Sequence, residues 1–190
     1  AVKVPVFSFN KLHQVDINLG PEMKSTGEVL GVSHNLNSAI YKGLQAAGVE
    51  VEGPGNMVAT ISDKDKSEAV PLIAEFARLG FKIFATEGTA KALEQYGVNV
   101  QVVKKLKEGS PNIVDLIRQG QVDVVVNTLT QGRRPFSDGF HIRRAAVELN
   151  VPCLTSLDTL KVVLEVLKGN EGAKPQEVQS LQEYVAEFRQ

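Results

Sequence analysis

The chain has 190 residues, 21 Lys and Arg against 22 Asp and Glu, and 43% hydrophobic residues. That length supports one core of ordinary domain size plus an appendage. The even charge gives no support to a polyanion-binding surface, and Lys and Arg fall in short local groups instead of the concentrated basic stripe that nucleic acid requires; no apolar run is long enough to cross a membrane. A single cysteine, Cys153, excludes an internal disulfide and leaves a metal without a second thiolate. A buried structural thiol in a reducing, cytoplasmic setting is the expectation.

In chain order, residues 2–9 read as an apolar strand with no turn or cap before it, so the start resembles the severed end of a longer protein. A loop-rich stretch follows to Ser25, then a short strand at 27–32. A helix comes next, capped by Asn35 or Asn37, with Ile40, Leu44 and Ala47 on one stripe. These elements are too few for an independent core. The turn Gly53-Pro54-Gly55 therefore divides the chain into units 1–54 and 55–190.

From Asn56 the pattern alternates regularly. Strands are predicted at 57–61, 81–85, 98–103, 122–126 and 151–154, with helices near 66–79, 89–96, 111–119 and 140–149. Short, β-branched strands between helices predict an α/β fold, a five-stranded parallel sheet covered on both faces. Pro71 fits the first helix only if it falls in the first turn; otherwise one backbone bond is lost. Ser156 caps a helix to Leu167, Gly169 to Lys174 form a link, and Pro175 opens a last helix. Its face of Val178, Leu181, Val185 and Phe188 is expected to dock on the sheet.

Ligands bind open α/β sheets at the carboxyl ends of the strands. Two polar loops fall there. In Thr86-Glu87-Gly88-Thr89 the chain can turn on Gly88 and be capped by Thr89, presenting amides and hydroxyls to a phosphate. In the second, Asn127, Thr128, Leu129, Thr130, Gln131 and Gly132 lead into Arg133 and Arg134, whose guanidinium groups can clamp phosphate. Lys66 opens toward the same end, and Lys105 lies in a lysine group after the third strand. The plain alternatives are ordinary turn and cap residues, a surface loop pairing Asp138 with an arginine, and a solvated lysine face. Arg143 and Arg144 are adjacent on a helix, so only one is expected to face inward.

Catalytic equipment is thin. His13, His34 and His141 are scattered without ligand spacing, and no serine elbow or P-loop occurs. Asp63, Asp65 and Glu87 could act as acids or bases, but no nucleophile accompanies them. The pocket reads as an anion-binding site with no catalytic residue and no metal.

The segment Leu19-Gly20-Pro21-Glu22-Met23-Lys24-Ser25-Thr26-Gly27-Glu28-Val29-Leu30-Gly31 resembles the end of the second ATP-grasp unit in the carbamoyl phosphate synthase large chain. The chain from Asn56 resembles that family's C-terminal allosteric domain, of methylglyoxal-synthase-like fold. The resemblance implies a regulatory part of a ligase of pyrimidine and arginine biosynthesis, which makes carbamoyl phosphate from bicarbonate, glutamine-derived ammonia and two ATP. Residues 1–54 would be the ATP-grasp remnant and 55–190 the effector domain. The implied effector is a phosphorylated nucleotide: uridine monophosphate as inhibitor, with inosine monophosphate or phosphoribosyl pyrophosphate as activator. Lys66, Thr86 and Thr89 would contact phosphate, Lys105 phosphate or ribose, and Asn127, Thr128 and Thr130 the rest of the nucleotide. The implied partners are the rest of the large chain and a glutaminase subunit, with room for an oligomer. ATP with Mg or Mn would belong to the full-length enzyme, and the fragment would be non-catalytic with no cofactor of its own. The alternatives are a phosphate-elimination enzyme of the methylglyoxal synthase type, which would need an aspartate and a histidine, and a structural domain that binds no effector.

Overall fold

The computed structural model describes residues 1–12, 15–129, 137–169 and 179–187. Strands β1 (Val2–Val6) and β2 (Gly27–Gly31) form an antiparallel pair, and α1 (Leu36–Ala46) packs on it. Two strands alone are marginal in water, and α1 supplies the cover. The approach is close enough to require glycine: a Cβ on Gly31 would lie 1.9 Å from the Ala39 carbonyl oxygen and 2.6 Å from the Gly43 nitrogen. Asn35 caps α1, its Oδ1 accepting from the Ser38 N–H at 3.2 Å.

The second part begins with β3 (Asn56–Thr60), a single 3-10 turn over Asp63–Asp65, and α2 (Lys66–Arg78). There follow β4 (Lys82–Ala85), α3 (Glu87–Gln95), β5 (Val100–Val102), α4 (Ile113–Arg118), β6 (Val124–Asn127), α5 (Asp138–Glu148), β7 (Cys153–Leu154) and α6 (Leu157–Gly169). The five strands are all parallel, in the order β5-β4-β3-β6-β7. The chain therefore winds outward from β3 in one direction, then returns past it to β6 and winds the other way.

Alternation along the strands divides the core. Met57, Ala59, Ile83, Ala85, Val124 and Val126 face α2, α3 and α6, where Ile73, Phe76, Leu93, Leu160 and Leu164 complete one apolar layer. Val58 and Val125 point the other way, onto Ile113, Ile117 and Ile142 of α4 and α5. Each fully buried large side chain of this kind contributes about 1.5–3 kcal/mol. Leu44, Val49 and Val51 pack against the first layer, so the segment before Gly53 shares the core of the sheet. Among the described residues no helix is long and apolar enough to cross a membrane.

Several local expectations are corrected. Pro71 lies inside α2, beyond its first turn. Its ring removes the bond to the Ser67 carbonyl, a cost of up to about 3 kcal/mol, offset by burial of Val70, Ile73, Ala74 and Phe76. Arg143 and Arg144 are both buried, at 4% and 5% exposure. The N-terminal segment runs over α5 and meets both: Arg143 reaches Asp16, while Arg144 donates to the Phe9 and Val15 carbonyls and to Glu148.

The last helix, α7 (Leu181–Glu187), starts later than expected. Its buried tyrosine bonds to the N-terminal unit. Tyr184 is its buried residue; the hydroxyl donates to the Val32 carbonyl at 3.1 Å and accepts from Lys42 Nζ at 3.2 Å. Leu181 and Val185, expected to be buried, are exposed. The 170–174 stretch, Pro175, Val178 and Phe188 lie outside the described residues.

Candidate functional site

Successive crossovers diverge between the carboxyl ends of β3 and β6, the switch point at which open α/β sheets carry their ligand crevice. Four chain segments end there: Thr60-Ile61-Ser62 after β3, Thr86 after β4, Lys104-Lys105 after β5 and Asn127-Thr128 after β6.

Two threonines hold the end of β3 from either side. The Ile61 N–H donates to Thr89 Oγ1 at 3.1 Å, and the Ser62 N–H donates to Thr128 Oγ1 at 2.8 Å. Both hydroxyls are buried, at 2% and 7% exposure. Each has accepted a bond and keeps its own proton to donate. The cap of α3 is Thr86, three residues ahead of the predicted cap, and Thr89 sits in the first turn. Gly88 is likewise helical and does not form the turn; its φ is not positive. The amides of Glu87 and Gly88 precede the first intrahelical bonds, which run from Thr89 and Ala90 to the Thr86 carbonyl.

Lys66 stands over this helix start. Its Nζ donates to the Gly88 carbonyl at 2.7 Å and pairs with Asp63 Oδ1 at 2.7 Å, which leaves one ammonium proton uncommitted by these two bonds. The hydrogen bond and charge of Lys66, aided by Lys105, lower the carboxyl pKa of the exposed Asp63. The Glu87 carboxyl is lowered first by Lys91 and also by Lys105. Lys105 follows β5 at the same end of the sheet. Asp65 accepts from the Ser62 hydroxyl at 2.6 Å.

Asn127 faces Thr60, its register partner at the last rung of β3 and β6. Its Nδ2 donates to Thr60 Oγ1 at 2.5 Å, and its Oδ1 accepts from Arg143 Nη1 at 2.7 Å. Arg143 also holds Asp16 through Nε at 2.8 Å and Nη2 at 2.5 Å. Lys66, Thr86, Gly88, Thr89, Lys105, Asn127 and Thr128 are therefore gathered at one end of the sheet. Thr130, Arg133 and Arg134 lie outside the described residues.

Thr60, Ser62 and Asp16 carried no signal that sequence reasoning used. The pair Arg143-Arg144 beside Ala145-Ala146 was such a signal, since charges flanked by small core residues need a buried partner. Among the described residues no group of three or more His, Cys, Asp or Glu is disposed to hold a metal. A cavity of about 370 Å³ opens elsewhere, between α2, β4, β5 and the residues that follow α3, lined among others by Ala74, Phe81, Ile83, Tyr96 and Val98. No Asp, Glu or His lines it, so it offers no acid or base working near neutral pH.

Residues 68–155 match the family model described as an MGS-like domain. A methylglyoxal synthase from Elizabethkingia anophelis NUHP1 is similar at 21% identity and a TM-score of 0.51, over 70% of this chain and 90% of that one. ForH is similar at 23% identity and a TM-score of 0.45, over 63% of this chain and 82% of that one. These findings overturn the expectation of a carbamoyl phosphate synthase large-chain fragment. The likeness is to an MGS-like domain and spans nine-tenths of a methylglyoxal synthase chain. The ligase activity, the place in pyrimidine and arginine biosynthesis and the non-catalytic regulatory role fall with that expectation. What stands is the fold: an α/β domain with a five-stranded parallel sheet between helices, of MGS-like architecture.

Proposed function

We propose that this chain is a phosphate-elimination enzyme of the methylglyoxal synthase type, acting in the cytoplasm on a small phosphorylated α-hydroxy ketone. One observation carries the reading: a single ammonium, Lys66 Nζ, lies 2.7 Å from the Asp63 carboxylate and 2.7 Å from the carbonyl of Gly88 in the first turn of α3. A base and a phosphate-type helix start thus share one cation. Residues 55–190 are the catalytic domain in this reading, and residues 1–54 an extension packed on it.

The Glu87 and Gly88 amides, the Thr86 hydroxyl and the remaining Lys66 proton receive the phosphate. The ionised Asp63 takes a proton from the hydroxymethyl carbon beside the carbonyl. The enediolate charge is met by Lys66 and Lys105. Collapse of the enediolate breaks the carbon–oxygen bond to phosphate, releasing inorganic phosphate and an enol that tautomerises to the ketoaldehyde. Protons and one leaving group move but no electrons are exchanged with an acceptor, so the step calls for no redox cofactor.

Dihydroxyacetone phosphate is the test compound, with inorganic phosphate and ketoaldehyde both measured. Asp63→Asn is expected to lower kcat by about 10²–10⁴-fold, and Lys66→Met to raise KM as well as lower kcat. Asp65→Asn and His141→Gln serve as comparisons for the other acid–base candidates. Phosphate release by the folded chain at no more than the uncatalysed rate, or release untouched by Asp63→Asn, would refute the proposal.

A further inference from the structure

We propose that Asp16, which lies outside the parallel sheet, is a positioning residue of the strand-end site: through Arg143 it fixes the direction of the Asn127 amide and makes the last β3–β6 rung a donor surface for an anion. The anion rests on the phosphate-binding reading above; the positioning does not.

Arg143 is 4% exposed, and Asp16 engages it bidentately through Nε and Nη2. That grip leaves Nη1 to reach Asn127 at 2.7 Å. A guanidinium only donates, so the Asn127 atom it meets is Oδ1. The amide nitrogen is thereby turned to Thr60 Oγ1. Thr60 accepts, which frees its hydroxyl proton, and Asn127 keeps its second N–H. Two donors result at the β3–β6 switch point. With the amide reversed, an NH2 would oppose the guanidinium, and Thr60 would have to spend its proton on Oδ1.

A second residue leaves room for this link. A Cβ on Gly139 would lie 3.0 Å from Arg143 Nη1 and 3.4 Å from Asn127 Oδ1. Asp16 bonds to Arg143 of α5 and accepts from the Asn18 N–H of its own segment, and the charge of Lys24 acts on it as well. Burial raises the Asp16 carboxyl, and the Arg143, Asn18 and Lys24 interactions outweigh it, leaving a lowered pKa. The carboxylate is therefore charged near neutral pH, as the grip requires.

The test uses the full 190-residue chain with Asp16→Asn, Asp16→Glu and Gly139→Ala. Side-chain amide resonances of Asn127 are followed in the free protein, and inorganic phosphate is titrated into each variant. Asp16→Asn and Gly139→Ala are expected to shift the Asn127 amide pair and weaken phosphate binding about tenfold, as for loss of one charge-assisted contact. Asp16→Glu is expected to restore both. A purely structural Asp16 would lower the melting temperature and leave the Asn127 resonances and phosphate affinity of the folded variant unmoved; that result overturns the proposal. If Asp16→Asn does not fold, Gly139→Ala decides by the same readouts. If Asn127 responds but the parent chain binds no phosphate, positioning stands and the phosphate reading fails.

Discussion

Thr89 and Thr128 offer the sharpest test of how the site is built. Replacing either with Val keeps the shape and removes the hydroxyl that accepts from a buried backbone N–H, that of Ile61 or Ser62. An amide left unsatisfied costs about 1–3 kcal/mol. For a domain of this size each kcal/mol lowers Tm by about 2–4 °C. Each single variant should therefore fall by roughly 4–8 °C for a mid-range cost of about 2 kcal/mol. The two amides belong to adjacent residues, so the double variant tests their coupling. Loss of both braces frees the β3 end together and should cost less than the sum. Thermal melts and urea titrations of Thr89→Val, Thr128→Val, the double variant and Thr89→Ser measure this, with Thr89→Ser expected to stay near the parent. If Thr89→Val and Thr128→Val melt within about 1 °C of the parent, below the smallest expected cost, the hydroxyls do not brace β3.

Asp16 has a lowered carboxyl pKa, so its stabilising contribution is present above the ordinary aspartate value of 3.8 and is lost as pH falls through the lowered folded value. Asp16→Asn should be less stable than the parent at pH 7, with the gap closing in acid; urea midpoints across pH check it. Gly31→Ala forces a Cβ to 1.9 Å from the Ala39 carbonyl oxygen. It should loosen β1, β2 and α1 while the sheet persists, seen as lost hydrogen-exchange protection confined to residues 1–46. Burial pushes the Cys153 thiol up to about 12. Cys153 is only half-buried, so the raised thiol is what should make a thiol reagent at pH 8 react slowly with the native chain and at the ordinary rate in urea; fast native labelling would contradict the raised pKa.

Much of the parallel sheet was legible because its signals are local. Runs such as Val124-Val125-Val126, and the helical spacing of Val70, Ile73, Ala74 and Ala77, depend on backbone periods of two and 3.6 residues. The polar residues ending those runs, Thr86, Asn127 and Thr128, marked the end of the sheet where they stand. Strand order, the two-sided brace on β3 and the burial of both Arg143 and Arg144 depend on contacts between distant segments, and no local pattern records those. Asp16 and Arg143 are separated by 127 residues, and neither has a periodicity that names the other. The helix start at Thr86 went the same way: both threonines are good caps locally, and in the fold the Thr89 hydroxyl accepts from the distant Ile61 amide. Sequence thus determined which segments are strand and helix and which residue types meet at the crevice. Tertiary structure decided what each polar group is bonded to, because a buried donor must find its acceptor wherever the fold brings one.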